Sequence, residues 1–275
     1  MTDKADDLEL KLLLDAVYQR YHYDFRGYAM ASLKRRLSHA KDHFGCRSYS
    51  HLQELVLHDE TMLTKLLSYL TVQVSELFRD PDYFRAIRQD IVPYLKTYPS
   101  LKIWVAGCSS GEELYSLAIL LREEGLEERS MLYGTDINRE ALRQAEVGIY
   151  PLDRMPLFTE NHRRSGGKSS LSDYYTANYD AAVLDKSLRR KVLFADHSLV
   201  TDSVFAEVQL ISCRNVLIYF DREFQDRAIG LFKDALTPNG FLGIGAKESL
   251  RFSRHSEAFA EFVRSARIYQ RRGNS

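Results

Sequence analysis

The sequence predicts an α/β fold: a mainly parallel sheet layered with helices, preceded by an all-helical unit and carrying a small antiparallel insertion. Three observations point there. Apolar residues recur at helical spacing, almost without glycine, through residues 8–98. From Leu101 onward short β-rich runs (KIWVAG, MLYGTD, VQLISCRN, GFLGIGA) end in Gly, Asp or Asn, and helical stretches separate the first three. The segment 150–195 then breaks the alternation with RRSGGKSSLSDYYTANYD, which is polar, and VLDKSLRRKVLFAD, whose apolar runs suit small antiparallel strands.

Each element follows from its pattern. Leu8, Leu10, Leu13, Leu14 and Val17 mark one helical stripe, and Leu33, Leu37 and Ala40 a second. Leu52, Leu55 and Val56, then Met62, Leu66, Leu67 and Leu70, continue the theme, with Gly27 and Gly45 at turns. These patterns divide the chain into a helical domain and linker at 1–98 and an α/β domain at 99–275, with 150–195 as the insertion.

The 275 residues are 45% hydrophobic and 28% charged, with 38 basic against 38 acidic side chains, as in ordinary globular proteins. A neutral balance supplies no global field for nucleic acid or an anionic membrane, so an acidic partner must be met by a local patch. Cys46, Cys108 and Cys213 are odd in number and far apart, which fits neither a disulfide framework nor a zinc spacing and suits a reduced cytoplasmic setting. MTDKADDLEL lacks the apolar core of a signal or anchor, and no apolar run has membrane-spanning length. His39 and His43 share an i, i+4 face without a third ligand, so a solvated helix face is expected and no metal.

Ligands of open α/β sheets sit beyond the carboxyl ends of the strands, beside the first glycine turn. Here that turn reads AGCSSGEE, with Gly107 and Gly111 followed by Glu112 and Glu113. It matches neither G-x-G-x-x-G nor a phosphate loop, and the acids repel phosphate. Asp136 closes the next strand, where a carboxylate commonly accepts ribose hydroxyls. A cationic ligand carrying a ribose fits, and S-adenosylmethionine is one. The alternative is that both glutamates only complement the helix dipole.

W-V-A-G-C-S-S-G-E-E-L-Y-S-L-A (104–118) together with C-R-N-V-L-I-Y-F (213–220) resembles the CheR-type chemotaxis methyltransferases. S-E-L-F-R-D (75–80), S-L-K-R-R-L (32–37) and L-T-P-N-G-F-L-G-I-G (236–245) extend the likeness over roughly residues 10–270. The resemblance implies a class I, Rossmann-like methyltransferase that uses S-adenosylmethionine, leaves S-adenosylhomocysteine, and esterifies glutamates of a chemoreceptor's cytoplasmic domain. It implies a cytoplasmic monomer with no nucleic-acid partner and no membrane insertion. By matching position, Gly107 and Glu113 would meet the methionine end, Asp136 the ribose, and Ser198 and Leu199 the adenine. Gln73, Ser75 and Arg79 would reach the cofactor from the helical side. Arg214 and Asn215 would line the transfer pocket, with Arg79 and Tyr219 catalytic. Lys34, Arg35 and Arg36 would dock an acidic receptor surface, and the insertion would be a second docking surface. Gln73, Ser75, Leu77 and Ser198 stand where the family carries asparagine, threonine, phenylalanine and asparagine; the first two exchanges keep an amide and a hydroxyl with altered reach.

Methyl transfer to a carboxylate needs no general base, because glutamate, with a reference pKa of about 4.3, is already ionised near neutral pH. Other readings stay open at the residue level. Tyr219 can be a packed strand-end aromatic, Arg214 a structural ion pair, and Cys108 and Cys213 small buried residues. Two rivals remain for the whole chain. One is a non-catalytic module that binds S-adenosylmethionine or S-adenosylhomocysteine; the other is a methyltransferase for small molecules or nucleic acid, which the missing N-P-P-[YF] loop and neutral charge disfavour.

Overall fold

The computed structural model describes residues 4–71 and 75–273. Four helices come first: α1 (Lys4–Tyr21), α2 (Met30–His43), α3 (Tyr49–His58) and α4 (Glu60–Leu70). Their starts are set locally. Ser48 caps α3 by accepting from the His51 N–H at 3.1 Å, and Asp59 ends α3 while capping α4 through the Thr61 N–H at 2.9 Å. The predicted stripes are buried or partly buried except at Leu8, which is exposed near the start of α1: Leu10, Leu13, Leu14 and Val17 pack with Leu33, Leu37, Leu52 and Leu66 in one core.

Helix α5 (Pro81–Ala86), a π turn at Ile87–Ile91 and α6 (Val92–Leu95) follow. Composition assigns them to the helical unit, but packing places them elsewhere. Leu77, Phe78, Phe84, Ile87 and Leu95 share a core with Leu101, Ile103, Leu117 and Leu210 of the α/β part. An amphipathic period reports that a face is buried and says nothing about which body buries it.

The α/β part comprises β1 (Leu101–Ala106), α7 (Glu112–Glu123), β2 (Ser130–Asp136), α8 (Arg139–Val147), β3 (Ile149–Pro151) and α9 (Met155–Arg164). It continues with β4 (Tyr175–Asn178), β5 (Ala181–Leu184), β6 (Val192–Asp196), β7 (Val208–Cys213) and α10 (Arg222–Ala235). It closes with β8 (Leu236–Ile244), β9 (Phe259–Val263) and β10 (Ile268–Arg271). The main sheet runs β6-β2-β1-β7-β8-β10-β9, parallel from β6 to β8, with β10 and β9 antiparallel at the edge.

A second sheet, β3-β5-β4, is small and antiparallel as expected. VLFAD does not join it. Residues 192–196 form β6, whose partners run in parallel from Leu132↔Val192 to Asp136↔Asp196. A short half-buried strand reads alike for either partner, so the pattern could not choose. The chain order turns back at β1, which has β2 on one side and β7 on the other, and the crevice at that switch point lies over Ala106, Asp136 and Cys213. Among the described residues no helix is long and apolar enough to cross a membrane.

Candidate functional site

The glycine turn after β1 is fixed by backbone bonds. The N–H groups of Gly107 and Cys108 both donate to the Thr135 carbonyl, at 2.8 and 2.9 Å. Gly107 sits at φ +72, and a Cβ there would lie 2.4 Å from the Val216 side chain, so the tight approach of two loops requires glycine. The acidic pair behind the turn then diverges. Glu112 is 1% exposed, accepts from Ser110 Oγ at 2.7 Å and pairs with Arg154 at 3.2 Å. Glu113 accepts from Ser212 Oγ at 2.6 Å and from Arg214 Nη1 at 3.1 Å. Only Glu113 lines the crevice.

That crevice is a cavity of about 320 Å³, a volume in the usual range for small-molecule sites. Ser75, Arg79, Gly107, Glu113 and Asp136 line it, as do Ser198, Leu199, Arg214, Asn215 and Tyr219. The sequence-predicted set therefore converges on one cavity, apart from Gln73, which lies outside the described residues. Asp136 accepts from the Ser109 N–H (2.9 Å, Oδ2) and the Asn138 N–H (2.9 Å, Oδ1). Burial raises its pKa above the ordinary aspartate value, against the pull of these donors. Ser198 Oγ accepts from the N–H groups of Val200 and Thr201 at 3.3 and 3.2 Å, shaping the loop that carries Leu199.

Arg214 is an ion-pair hub as well as a lining residue. Its guanidinium is buried between Glu113 and Asp80, the latter at 2.5 Å, and stacks 4.2 Å over the Tyr83 ring. Asn215 adopts φ +61, and the loop it begins is clamped by Glu248. That buried carboxylate accepts from the N–H groups of Gly245 (2.5 Å), Asn215 (3.2 Å) and Ile218 (3.2 Å), and burial raises its pKa. Cys108 and Cys213 are buried, and desolvation pushes both thiols well up, away from nucleophilic use.

Tyr219 is where the helical unit meets the sheet. Its carbonyl accepts from the Ala29 N–H at 2.8 Å, beside a backbone bridge between Tyr28 and Phe220. Arg36 reaches the same cavity from α2: its guanidinium lies 5.3 Å from the Tyr219 ring and Nη1 donates to the Leu70 carbonyl at 2.5 Å. Nη2 of Arg36 is buried without a hydrogen-bond partner. The docking trio is thus divided, since Lys34 pairs with Asp7 at 2.6 Å and Arg35 is exposed. Arg79 and Arg214 also border an adjoining cavity of about 560 Å³, with Asp80, Asn161 and Arg164 on its wall.

Sequence reasoning missed Asp80, Tyr83, Ser212 and Glu248. Ser212, a hydroxyl inside the apolar run VQLISC, was the one local signal available; the others acquire meaning only through contacts distant in sequence.

Comparison with known proteins gives two family matches: "CheR methyltransferase, all-alpha domain" over residues 8–71 and "CheR methyltransferase, SAM binding domain" over residues 73–266. The chain is 54% identical over 270 residues to the provisionally named methyltransferase Cher3 of Pseudomonas putida, covering 98% of this chain and 99% of that protein. It is 31% identical over 204 residues to a chemotaxis protein methyltransferase of Listeria innocua, covering 74% and 73%. A solved structure, the N-methyltransferase NodS from Bradyrhizobium japonicum with S-adenosyl-L-homocysteine, superposes with TM-score 0.41 at 15% identity, covering 73% of this chain and 90% of that one. The cavity suits S-adenosylmethionine on its own terms: carboxylates of Glu113 and Asp136 line it, and the turn beside them admits no side chain at Gly107.

Proposed function

The chain belongs to the CheR methyltransferase family and uses S-adenosylmethionine; on that premise we propose that it methylates glutamate side chains of a chemoreceptor-like sensory protein, forming methyl esters. The carrying observation is that one cavity gathers Glu113 and Asp136 from the sheet, Tyr219 from the loop after β7, and Arg79 from the segment joining the two bodies. S-adenosylmethionine, when bound, would supply an electrophilic methyl group on a positively charged sulfur, and an ionised acceptor carboxylate would need no proton removed to take it. The protein's task is placement, which can supply about 7–11 kcal/mol of the barrier.

In this reading Asp136 holds the ribose and Glu113 the methionine end, and Ser75 closes the cavity from the helical side; Gln73, assigned to the cofactor with it, lies outside the described residues. Ser198 and Leu199 flank the adenine, while Arg214 and Asn215 shape the transfer pocket. Arg79 orients the carboxylates of acceptor and cofactor, and Tyr219 donates a hydrogen bond that aims the acceptor. Lys34 and Arg35, on the outer side of α2, meet the acidic receptor surface while Arg36 points inward, and the β3-β5-β4 sheet offers a second docking surface. The deciding experiment incubates the protein with methyl-labelled cofactor and cell membranes. Base-labile label on a receptor-sized band is expected. Tight cofactor binding without any transfer would refute the enzymatic reading in favour of a regulatory binder.

A further inference from the structure

We propose that Arg154 and Asn161 are positioning residues for Arg79, through which the α9 segment tunes methyl transfer without touching the reacting groups; this rests on the role proposed for Arg79. The loop that carries Arg79 is conformationally unfavourable. Phe78 (φ +53) and Asp80 (φ +56), its two neighbours, both occupy the left-handed region. Non-glycine residues persist there only where their surroundings over-determine them.

Two groups of determinants stand out among the described residues. From the core, Ser116 Oγ of α7 accepts from the Phe78 N–H at 2.7 Å, and Arg214 pairs with Asp80 at 2.5 Å. The remainder comes from α9 and the turn before it. Asn161 Nδ2 donates to the Leu77 carbonyl at 3.2 Å, Arg154 donates to the Ser75 carbonyl, and the His162 ring lies 4.8 Å from the Phe78 ring. Asn161 and His162 are buried, so these contacts are shielded from water. Arg154 also pairs with Glu112, next to the cavity residue Glu113, and its guanidinium lies 4.7 Å over Phe158. One guanidinium thereby ties the Arg79 loop to the glycine turn.

Neither Arg154 nor Asn161 lines the 320 Å³ cavity. Both lie in the chain segment between β3 and β4, strands of the small sheet. A load on that sheet has a short covalent and hydrogen-bonded route to Arg79. Misplacement of a positioned group by about 1 Å can cost on the order of 100-fold in rate.

The test is a double-mutant cycle on the full chain, with receptor methylation, S-adenosylhomocysteine affinity and thermal unfolding as readouts. Asn161→Asp keeps the volume, removes the donor to Leu77 and turns a carboxylate toward that carbonyl and toward Glu76; Arg154→Lys keeps the cation beside Glu112 and loses the fork that also spans to Ser75. Each should lower kcat about tenfold or more, with a smaller change in KM for receptor. In an Arg79→Lys background the same changes should cost less than about twofold, because the group they position is already displaced. Full additivity there, or an unchanged kcat in both single variants, overturns the inference and leaves the role of Arg79 standing. Wild-type rates in Arg79→Ala and Arg79→Lys would instead overturn that role, and this inference with it. Arg154→Lys, at a part-exposed position, keeps the test decisive if Asn161→Asp fails to fold.

Discussion

Asp136→Asn tests the proposed ribose acceptor and separates what this carboxylate contributes to ligand binding from what it contributes to the fold. Both oxygens of Asp136 already accept backbone N–H groups at 2.9 Å, from Ser109 and Asn138. Asparagine keeps the shape, but its amide nitrogen must face one of these donors, leaving a buried N–H unpaired at a cost of about 1–3 kcal/mol. That share appears without ligand, as a drop in Tm of roughly 2–4 °C per kcal/mol for a chain of this size. The ligand share is the loss of charge-assisted bonds to ribose hydroxyls, about 1.5–3 kcal/mol, or roughly 10–150-fold in Kd. Titration calorimetry with S-adenosylhomocysteine reads the second share and ligand-free thermal unfolding the first. The pH dependence adds a check. Burial raises the pKa of Asp136, so wild-type affinity should fall with decreasing pH sooner than an exposed aspartate would dictate, and the asparagine variant should not show that fall. A Kd within twofold of wild type in Asp136→Asn and Asp136→Ala refutes the assignment of the ribose to this carboxylate.

Tyr219→Phe removes one hydroxyl and little volume, so methylation should slow while S-adenosylhomocysteine affinity, read by calorimetry, barely changes. Gly107→Ala places a methyl group 2.4 Å from Val216 at φ +72, and should lower Tm and weaken cofactor binding together. Reversing the charges of Lys34 and Arg35 should slow methylation of intact receptor at low salt, less at high salt, and leave calorimetric cofactor affinity alone. Glu123 is buried, which raises a carboxyl pKa, yet the His162 ring and Arg88 hold it down to about 2. With the folded value below the unfolded one, its stabilisation, on the order of 3 kcal/mol, is complete above the unfolded pKa and fades as pH falls toward 2. The Tm advantage of wild type over Glu123→Gln should therefore shrink below about pH 4.5 in thermal scans.

The parts of this protein that were legible in its sequence are those whose cause is local. The glycine turn, the acid ending β2 and the four helical stripes each follow from neighbours within a few residues; the stripes bury one another in their own core, and the cavity joins the turn to the acid because strand ends of a parallel sheet converge. The basic run on α2 shows where local reading stops short. Lys34, Arg35 and Arg36 are consecutive, and successive helical side chains diverge by about 100°, so the three cannot share one face. Leu33 and Leu37 fix the buried side, which leaves Arg35 outward and turns Arg36 toward Leu70 and Tyr219. That division is available from periodicity alone, because the helical stripe at Leu33, Leu37 and Ala40 already fixes which way each basic side chain points.

Asp80, Asn161 and Glu248 were not available in that way. Each is a single polar residue whose partners lie across the fold: Arg214 for Asp80, Leu77 for Asn161, and the turn at 215–218 for Glu248. None of these touches is encoded by spacing, and each holds backbone or charge that would otherwise be buried without a partner. Their positions nevertheless share a logic. All three support segments that carry a predicted site residue, Arg79 or Tyr219, in loops containing left-handed residues. The sequence reveals the groups that line the cavity because the chemistry of a site restricts their type. The supporting groups are restricted only by the geometry they must correct, and that geometry exists only after folding.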